Sequence, residues 1–380
     1  MRLKKLFFSL ILLFIVYSAS YAQEIRCSSL RLPENILGYK PLKCDFHLHT
    51  IFSDGLVWPS VRVDEALAEG LDAIAITDHL EYRPHMKNMG TDNLSHSFGY
   101  EFAKKAADAA GIILIPGIEI TKEAPPGHFN AIFIKDANKF NNCYNKENPR
   151  DGRFIRKALT EARDQGAFIF WNHPWFQIPM NKSIWFPIID SLYNEGYIDG
   201  VEVVNATKYD PVILSWVQSK SLTNIANTDL HTPSGYNNGR YRTMTIVFAK
   251  EKSAESIREA LEERRTVSYC NEMLIGDKIF LEEIFKKSIQ VSFQSFIDKN
   301  GMLVLKNSSS LKFDVKIEKC ENAKLSTYTG GLTIPANGET AVKVTFNDNY
   351  DKNKGLKVEI SVLNLEVEPN TPLKTTINIL

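Results

Sequence analysis

Eight histidines occur in the 380 residues, and six of them sit where the chain reads as the edge of a β-strand with a carboxylate near by. His47 and His49 close the run Asp45-Phe-His-Leu-His-Thr50, and residues two apart on a strand share a face, so both imidazoles can reach one ion. His79 ends Thr77-Asp-His79, Glu119 ends Pro116-Gly-Ile-Glu119, and Asp229-Leu-His231 repeats the alternate-residue arrangement. His128 precedes one apolar run and His173 follows another. Neutral imidazole and carboxylate are the donor set preferred by zinc, manganese and iron. A single histidine of this kind is ordinarily a packed or solvated residue; a His-x-His and an Asp-x-His with three further histidines and a glutamate at other strand edges point to a metal centre.

Residues so far apart in sequence meet only if the strands converge. Runs over 42–50, 71–77, 112–121, 129–134, 167–171, 200–205, 223–228 and 243–249 read as strands. Segments 61–70, 101–110, 153–165 and 254–265 have helical spacing, with Gly70, Gly111 and Gly166 at C-cap positions. Alternating βα units predict a parallel barrel whose strand C-termini meet at one mouth. His128 requires a short antiparallel excursion to return there. From about residue 288 the pattern becomes Val-, Thr- and Ile-rich strands with turn residues and no evident helix, a small antiparallel sandwich-like module. The expected organisation is residues 1–22 as a signal peptide, 23–287 as the barrel and 288–380 as the β module.

These segments resemble the PHP family, the polymerase and histidinol phosphatase domain. The similarity is carried by His47-Leu-His49 with Ser53-Asp-Gly55, by Gly70-Leu-Asp-Ala-Ile-Ala-Ile-Thr-Asp-His79, Gly117-Ile-Glu119, His128, Asn172-His-Pro174 and Asp229-Leu-His231. It implies an α/β fold, a distorted (β/α)7 TIM-like barrel, with two or three divalent ions (Mn, Zn or Fe). It further implies that His47, His49, Glu119 and Asp229 hold one metal, that Glu119 bridges to a second held by His128 and His173, and that Asp54, His79 and His231 hold a third. Some family members carry histidine at the position of Asp54.

Such a site suits phosphoester hydrolysis. Clustered ions make hydroxide available at neutral pH and neutralise phosphoryl oxygens, so a metal-bridging hydroxide is expected to attack phosphorus, with Glu119, Asp229 and His231 central to catalysis. Phosphodiesters are the expected substrates, with phosphomonoesters the first alternative; amide or lactone hydrolysis and a catalytically silent binding protein are the remaining ones. Arg240, Arg242, Lys122 and Lys208 follow strand ends and are candidate phosphate-binding cations. Asp78 is a candidate to orient a ligand, His85 and His96 to donate a proton, and Trp171 and Trp175 to wall a substrate pocket.

Composition narrows the partners. Lys+Arg and Asp+Glu are both 45, so nothing in the overall balance suggests the basic face that a nucleic-acid duplex requires. Arg2, Lys4 and Lys5 precede an apolar run over 6–16 and Ser20-Tyr21-Ala22, the layout of an export signal too short for a stable span. Its removal takes Lys+Arg from 45 to 42 against 45 acidic residues. The expected setting is periplasmic or secreted, with a small-molecule phosphate ester as substrate. Five cysteines without a CxxC spacing assign no chemistry to thiols.

Overall fold

The structure is a computed structural model that describes residues 30–90, 95–235, 241–295, 299–327, 330–348 and 355–379. The expected signal segment 1–22 and Arg240 lie outside these residues.

Seven strands form the barrel: β1 (Lys40–Leu48), β2 (Ala73–Ile76), β3 (Ile113–Thr121), β4 (His128–Ile132), β5 (Phe168–Trp171), β6 (Gly200–Asn205) and β8 (Thr223–Asn227), with the two-residue β7 (Lys208–Tyr209) beside β6. β1, β2 and β3 are parallel, as are β5, β6 and β8. β4 runs antiparallel to both β3 and β5, and this reversal carries His128 back to the mouth. The ring closes just past β8, where Asp229 N donates to the His47 carbonyl (3.0 Å) and His49 N to the Leu230 carbonyl (3.1 Å). The other half of β1 pairs antiparallel with β9 (Met244–Ala249), so the barrel is distorted rather than a uniform eightfold ring.

The helices bury the stripes that their spacing predicts. In α1 (Pro59–Ala68), Pro59, Arg62, Val63 and Ala66 face inward, a 3.6-residue period started by proline at the first turn. α2 (Phe98–Ala110) ends at Gly111, whose φ of 67° is left-handed and cheap only for glycine. α3 (Ile155–Asp164) buries Ile155, Ala158, Leu159 and Ala162 along one face. Three helices lie where no helical spacing was evident, α4 (Pro187–Asn194), α5 (Pro211–Lys220) and the last one, Lys278–Ser288. The Val-Ile-Leu start of α5 resembles a strand, but Asp210 caps it by accepting from Val212 N, and Pro211 sets the first turn. After α6 (Ala254–Glu262) come β10 (Thr266–Cys270), β11 (Met273–Gly276) and α7 (Lys278–Ser288), the last capped by Asp277.

From Ile289 onward only strands follow among the described residues. β12 (Ile289–Ser295), β13 (Asn300–Asn307), β17 (Glu339–Phe346) and β15 (Ala323–Ser326) make one antiparallel sheet. β16 (Gly331–Ile334), β14 (Phe313–Glu321), β18 (Leu356–Glu368) and β19 (Thr371–Ile379) make the other. The module is less separate than its sequence suggests. β18 pairs in parallel with β11 through Leu274 with Leu365 and Ile275 with Glu366, so one sheet runs from barrel to module. Phe285 of α7 packs edge-on against Phe313, 5.1 Å between centroids, inside a core shared by both parts. Each such aromatic burial stabilises by about 1.5–3 kcal/mol.

Candidate metal centre

All nine expected ligands converge at the barrel mouth. His47 and His49, fully buried at the end of β1, form the floor. Asp229 spans them, with Oδ1 3.2 Å from His47 Nε2 and 3.1 Å from His49 Nε2. Glu119 stands opposite: its Oε1 lies 3.0 Å from His128 Nδ1, 3.6 Å from His47 Nε2 and 3.6 Å from His173 Nε2, and its Oε2 lies 2.6 Å from His79 Nδ1. At the outer side, Asp54 Oδ1 is 3.2 Å from His231 Nε2 and 3.4 Å from His79 Nε2.

Donor atoms fall into three sets, each within 4.8 Å: His49, Asp54, His79 and His231; His47, His49 and Asp229; and His47, Glu119 and His173. His49 therefore approaches the outer set as well as the inner one. Nε2 of His47, His49 and His128, Oδ1 of Asp54 and Asp229, and Oε2 of Glu119 are buried without a well-formed hydrogen bond. Such inward-facing orphans are costly unless a cation meets them, so the residues fit a cluster of divalent ions.

The electrostatics pair carboxylate with imidazolium: against burial, the neighbouring carboxylates raise His47 and push His79 up to about 10, and a bound cation would displace those protons. Burial raises the Glu119 carboxyl, but His79, His128 and His47 together hold it well below the usual range. Burial also opposes ionisation of Asp229, and the His47 and His49 imidazoles overcome it. His49 is pushed down to about 3 by burial and by its neighbours His79 and His231, leaving it neutral, the form that ligates.

Outer partners fix these side chains. Glu202, fully buried in β6, accepts from His47 Nδ1 (2.8 Å), Asn227 Nδ2 (2.9 Å), His173 N (2.9 Å) and Asn205 Nδ2 (2.9 Å). It thereby turns His47 Nε2 toward the centre. Asn172 Nδ2 donates to Glu119 Oε1 (2.9 Å), and the Thr121 hydroxyl meets His79 Nδ1 (2.6 Å). Asp78 points away from the cluster and accepts from Thr50 N (2.7 Å), Thr50 Oγ1 (2.7 Å) and Ser53 Oγ (2.6 Å), shaping the loop behind His49. Buried Arg62 donates to the carbonyls of His49, Leu230 and Thr232, each at 2.9 Å, and so ties the His-x-His and Asp-x-His segments together.

A PHP domain match covers residues 45–236, half of the chain and every one of these nine positions. The chain belongs to the PHP domain family. An Ig-like domain match covers residues 289–378. A two-domain protein of Bacteroides vulgatus containing a predicted PHP-like metal-dependent phosphoesterase is 38% identical, with 93% of this chain and 99% of that one superposed at a TM-score of 0.83. An uncharacterized protein of Methanocaldococcus jannaschii is 36% identical over 84 residues, 22% of this PHP chain and 36% of that protein. The chain thus spans about a third of the length of that curated relative.

The candidate cations are placed differently from expectation. Arg242 is buried and bonded to Asp45 (2.7 Å) and Glu69 (2.9 Å), so it holds the fold and does not reach the mouth. Lys122 is likewise buried, paired with Glu81 (2.6 Å) and donating to the Pro149 carbonyl (2.9 Å). Lys208 donates to the Asn181 carbonyl (2.8 Å) and lies 4.5 Å from the Trp175 ring centroid, at the edge of the site. Arg150, unmarked by any strand end, is the Lys or Arg that lines the cavity among the described residues. Nothing in its sequence context marks it; tertiary contacts place it, with Glu123 N donating to the Arg150 carbonyl (3.0 Å) and Lys122 pinning the residue before it.

His96 sits 3.3 Å from Arg83 Nη1, its imidazole pushed down to about 3 by burial and that cation, and neither it nor His85 lines the cavity. Trp171 is a packing residue stacked on Trp216, whereas Trp175 does line the cavity. Cys44, Cys143, Cys270 and Cys320 are free thiols.

Proposed function

We propose that this protein is an exported, metal-dependent phosphoesterase that hydrolyses phosphodiesters. The observation that carries this reading is the set of inward-facing, orphaned imidazole and carboxylate atoms beneath an open cavity. Likeness along nearly its whole length to the Bacteroides vulgatus protein supports the same reaction class.

His47, His49, Glu119 and Asp229 would hold one ion, Glu119 would share a second with His128 and His173, and Asp54, His79 and His231 would hold a third. Ions so bound lower the pKa of water and neutralise charge on the phosphoryl oxygens. The chain's own contribution is to fix the donors and to admit the ester. Glu202, Asn172 and Thr121 hold ligand side chains in register before substrate arrives, so little reorganisation is required. In the reaction, water oxygen bonds to phosphorus, the bond from phosphorus to the leaving oxygen breaks, and a proton ends on that oxygen. Arg150 faces the cavity and can hold a non-bridging oxygen through its fork. Among the described residues Arg150 is the one Lys or Arg lining the cavity, and one such cation matches the single charge of a diester better than the double charge of a monoester.

Turnover of a chromogenic phosphodiester and its matching monoester by metal-analysed protein, before and after chelation, tests this. Metal-dependent hydrolysis of the diester above the monoester is expected. Silence on both esters by metal-loaded protein would overturn the reading and direct the search to amides and lactones.

A further inference from the structure

The cavity above the cluster has a volume of about 360 Å³, and one side of its wall is aromatic. Tyr82 and Phe176 are 45% and 47% exposed. Singly exposed apolar residues are ordinary. These two flank one mouth and stand against ligand histidines: the Tyr82 centroid is 5.9 Å from His79, and the Phe176 centroid is 5.1 Å from His173 and 5.4 Å from His128. The Arg150 guanidinium lies 5.9 Å from the Tyr82 centroid.

The backbone adds an independent observation. His173, Gln177, Met180 and Asn181 have φ of 27°, 61°, 61° and 50°, left-handed values within nine residues and none of them glycine. Each such residue costs about 1–3 kcal/mol and persists only where its surroundings over-determine it. Here the Gln177 side chain accepts from Ala124 N (3.2 Å) and the Asn181 carbonyl from Lys208 Nζ (2.8 Å). The strained loop holds the Phe176 ring out over the histidines instead of folding it into the core.

We propose, on the phosphoesterase reading above, that this wall is a subsite for a planar aromatic group on the retained side of a phosphodiester. Phe176 and Tyr82 contact its faces and edges, and Arg150 beside Tyr82 holds the charged oxygen. After the leaving oxygen departs with its proton, the aromatic monoester is the product that remains at the wall.

Three diesters sharing a p-nitrophenolate leaving group, with methyl, cyclohexyl or phenyl as the retained group, test the proposal on the metal-loaded protein. Stacking of this kind is worth about 1–3 kcal/mol, or about 5- to 150-fold. Phenyl is expected to exceed methyl in kcat/KM by about 5- to 150-fold, chiefly through KM, and to exceed cyclohexyl several-fold. Phe176→Leu, which keeps apolar bulk without the ring, should bring the phenyl to cyclohexyl ratio to about one at unchanged metal content; Phe176→Ala serves as the second variant. Equal kcat/KM for the three diesters in the wild type, or a ratio untouched by both variants, would overturn the subsite while leaving phosphoester hydrolysis intact. Hydrolysis of none of the three would overturn the phosphoesterase reading and the subsite with it.

Discussion

Two clusters of buried charge lie within one barrel and are built on opposite terms. Around Arg242, the carboxylates of Asp45 and Glu69 each face a guanidinium nitrogen closer than 3 Å, with contacts from the Thr228 and Ser234 hydroxyls, so that even Arg242 Nη1 and Glu69 Oε2, which lack a well-formed hydrogen bond, have an opposite charge 2.9 Å away. At the mouth, Asp54, Glu119 and Asp229 face six imidazoles with no lysine or arginine among them, and six ligand atoms remain without a well-formed hydrogen bond. Burial raises the Asp45 and Glu69 carboxyls against the pull of Arg242, whereas the histidines hold those of Glu119 and Asp229 down. Around Arg242 the protein supplies the cation for its buried carboxylates itself. Where it leaves buried carboxylates and imidazoles facing one another, the cation comes from outside.

Four changes should break or sharpen that contrast. Glu119→Gln removes the carboxylate that meets more of the mouth's imidazoles than either Asp229 or Asp54; phosphodiester turnover should fall by at least about 10³-fold while circular dichroism and the unfolding midpoint show a folded barrel. Arg242→Met strands two carboxylates inside the protein and should cost about 3–5 kcal/mol in denaturant unfolding, with the folded fraction retaining its metal. Removing metal from the wild type should lower stability by about 2.7 kcal/mol relative to protein held at 100 times the dissociation constant, seen as a drop in Tm reversed on re-addition. Glu202→Gln keeps size but weakens the hold on His47 Nδ1, so metal affinity should fall by about 10- to 100-fold in a competition titration. If Arg242→Met lost metal while Glu202→Gln did not, the assignment of one cluster to structure and the other to metal would be reversed.

Much of this architecture is written locally. The His-x-His and Asp-x-His pairs declare a shared strand face because alternation is a property of the backbone itself, and Gly70 and Gly111 mark helix ends because few other residues accept positive φ. Partners defined only in three dimensions stay hidden. Glu202 lies in an apolar run, Gly-Val-Glu-Val-Val, where a lone acid carries no spacing to announce that it holds His47. Arg242 and Lys122 follow strand ends, as phosphate-binding cations often do, but tertiary contacts turn both inward to buried acids. Arg150 is the converse, a loop residue brought to the cavity by the backbone anchors Lys122 and Glu123. α5 was obscured by its β-branched start, and the pairing of β18 with β11 depends on two edges far apart in sequence.

The most direct test of the account is the number of metal ions that the folded chain holds, counted by native mass spectrometry after loading with manganese or zinc, for the wild type and for Asp229→Asn. Two or three ions on the wild type, and fewer on the folded variant, are predicted. A wild-type chain that stays metal-free at micromolar ion, or an Asp229→Asn chain that binds the same number as tightly, would contradict the claim that the open cluster is a metal centre.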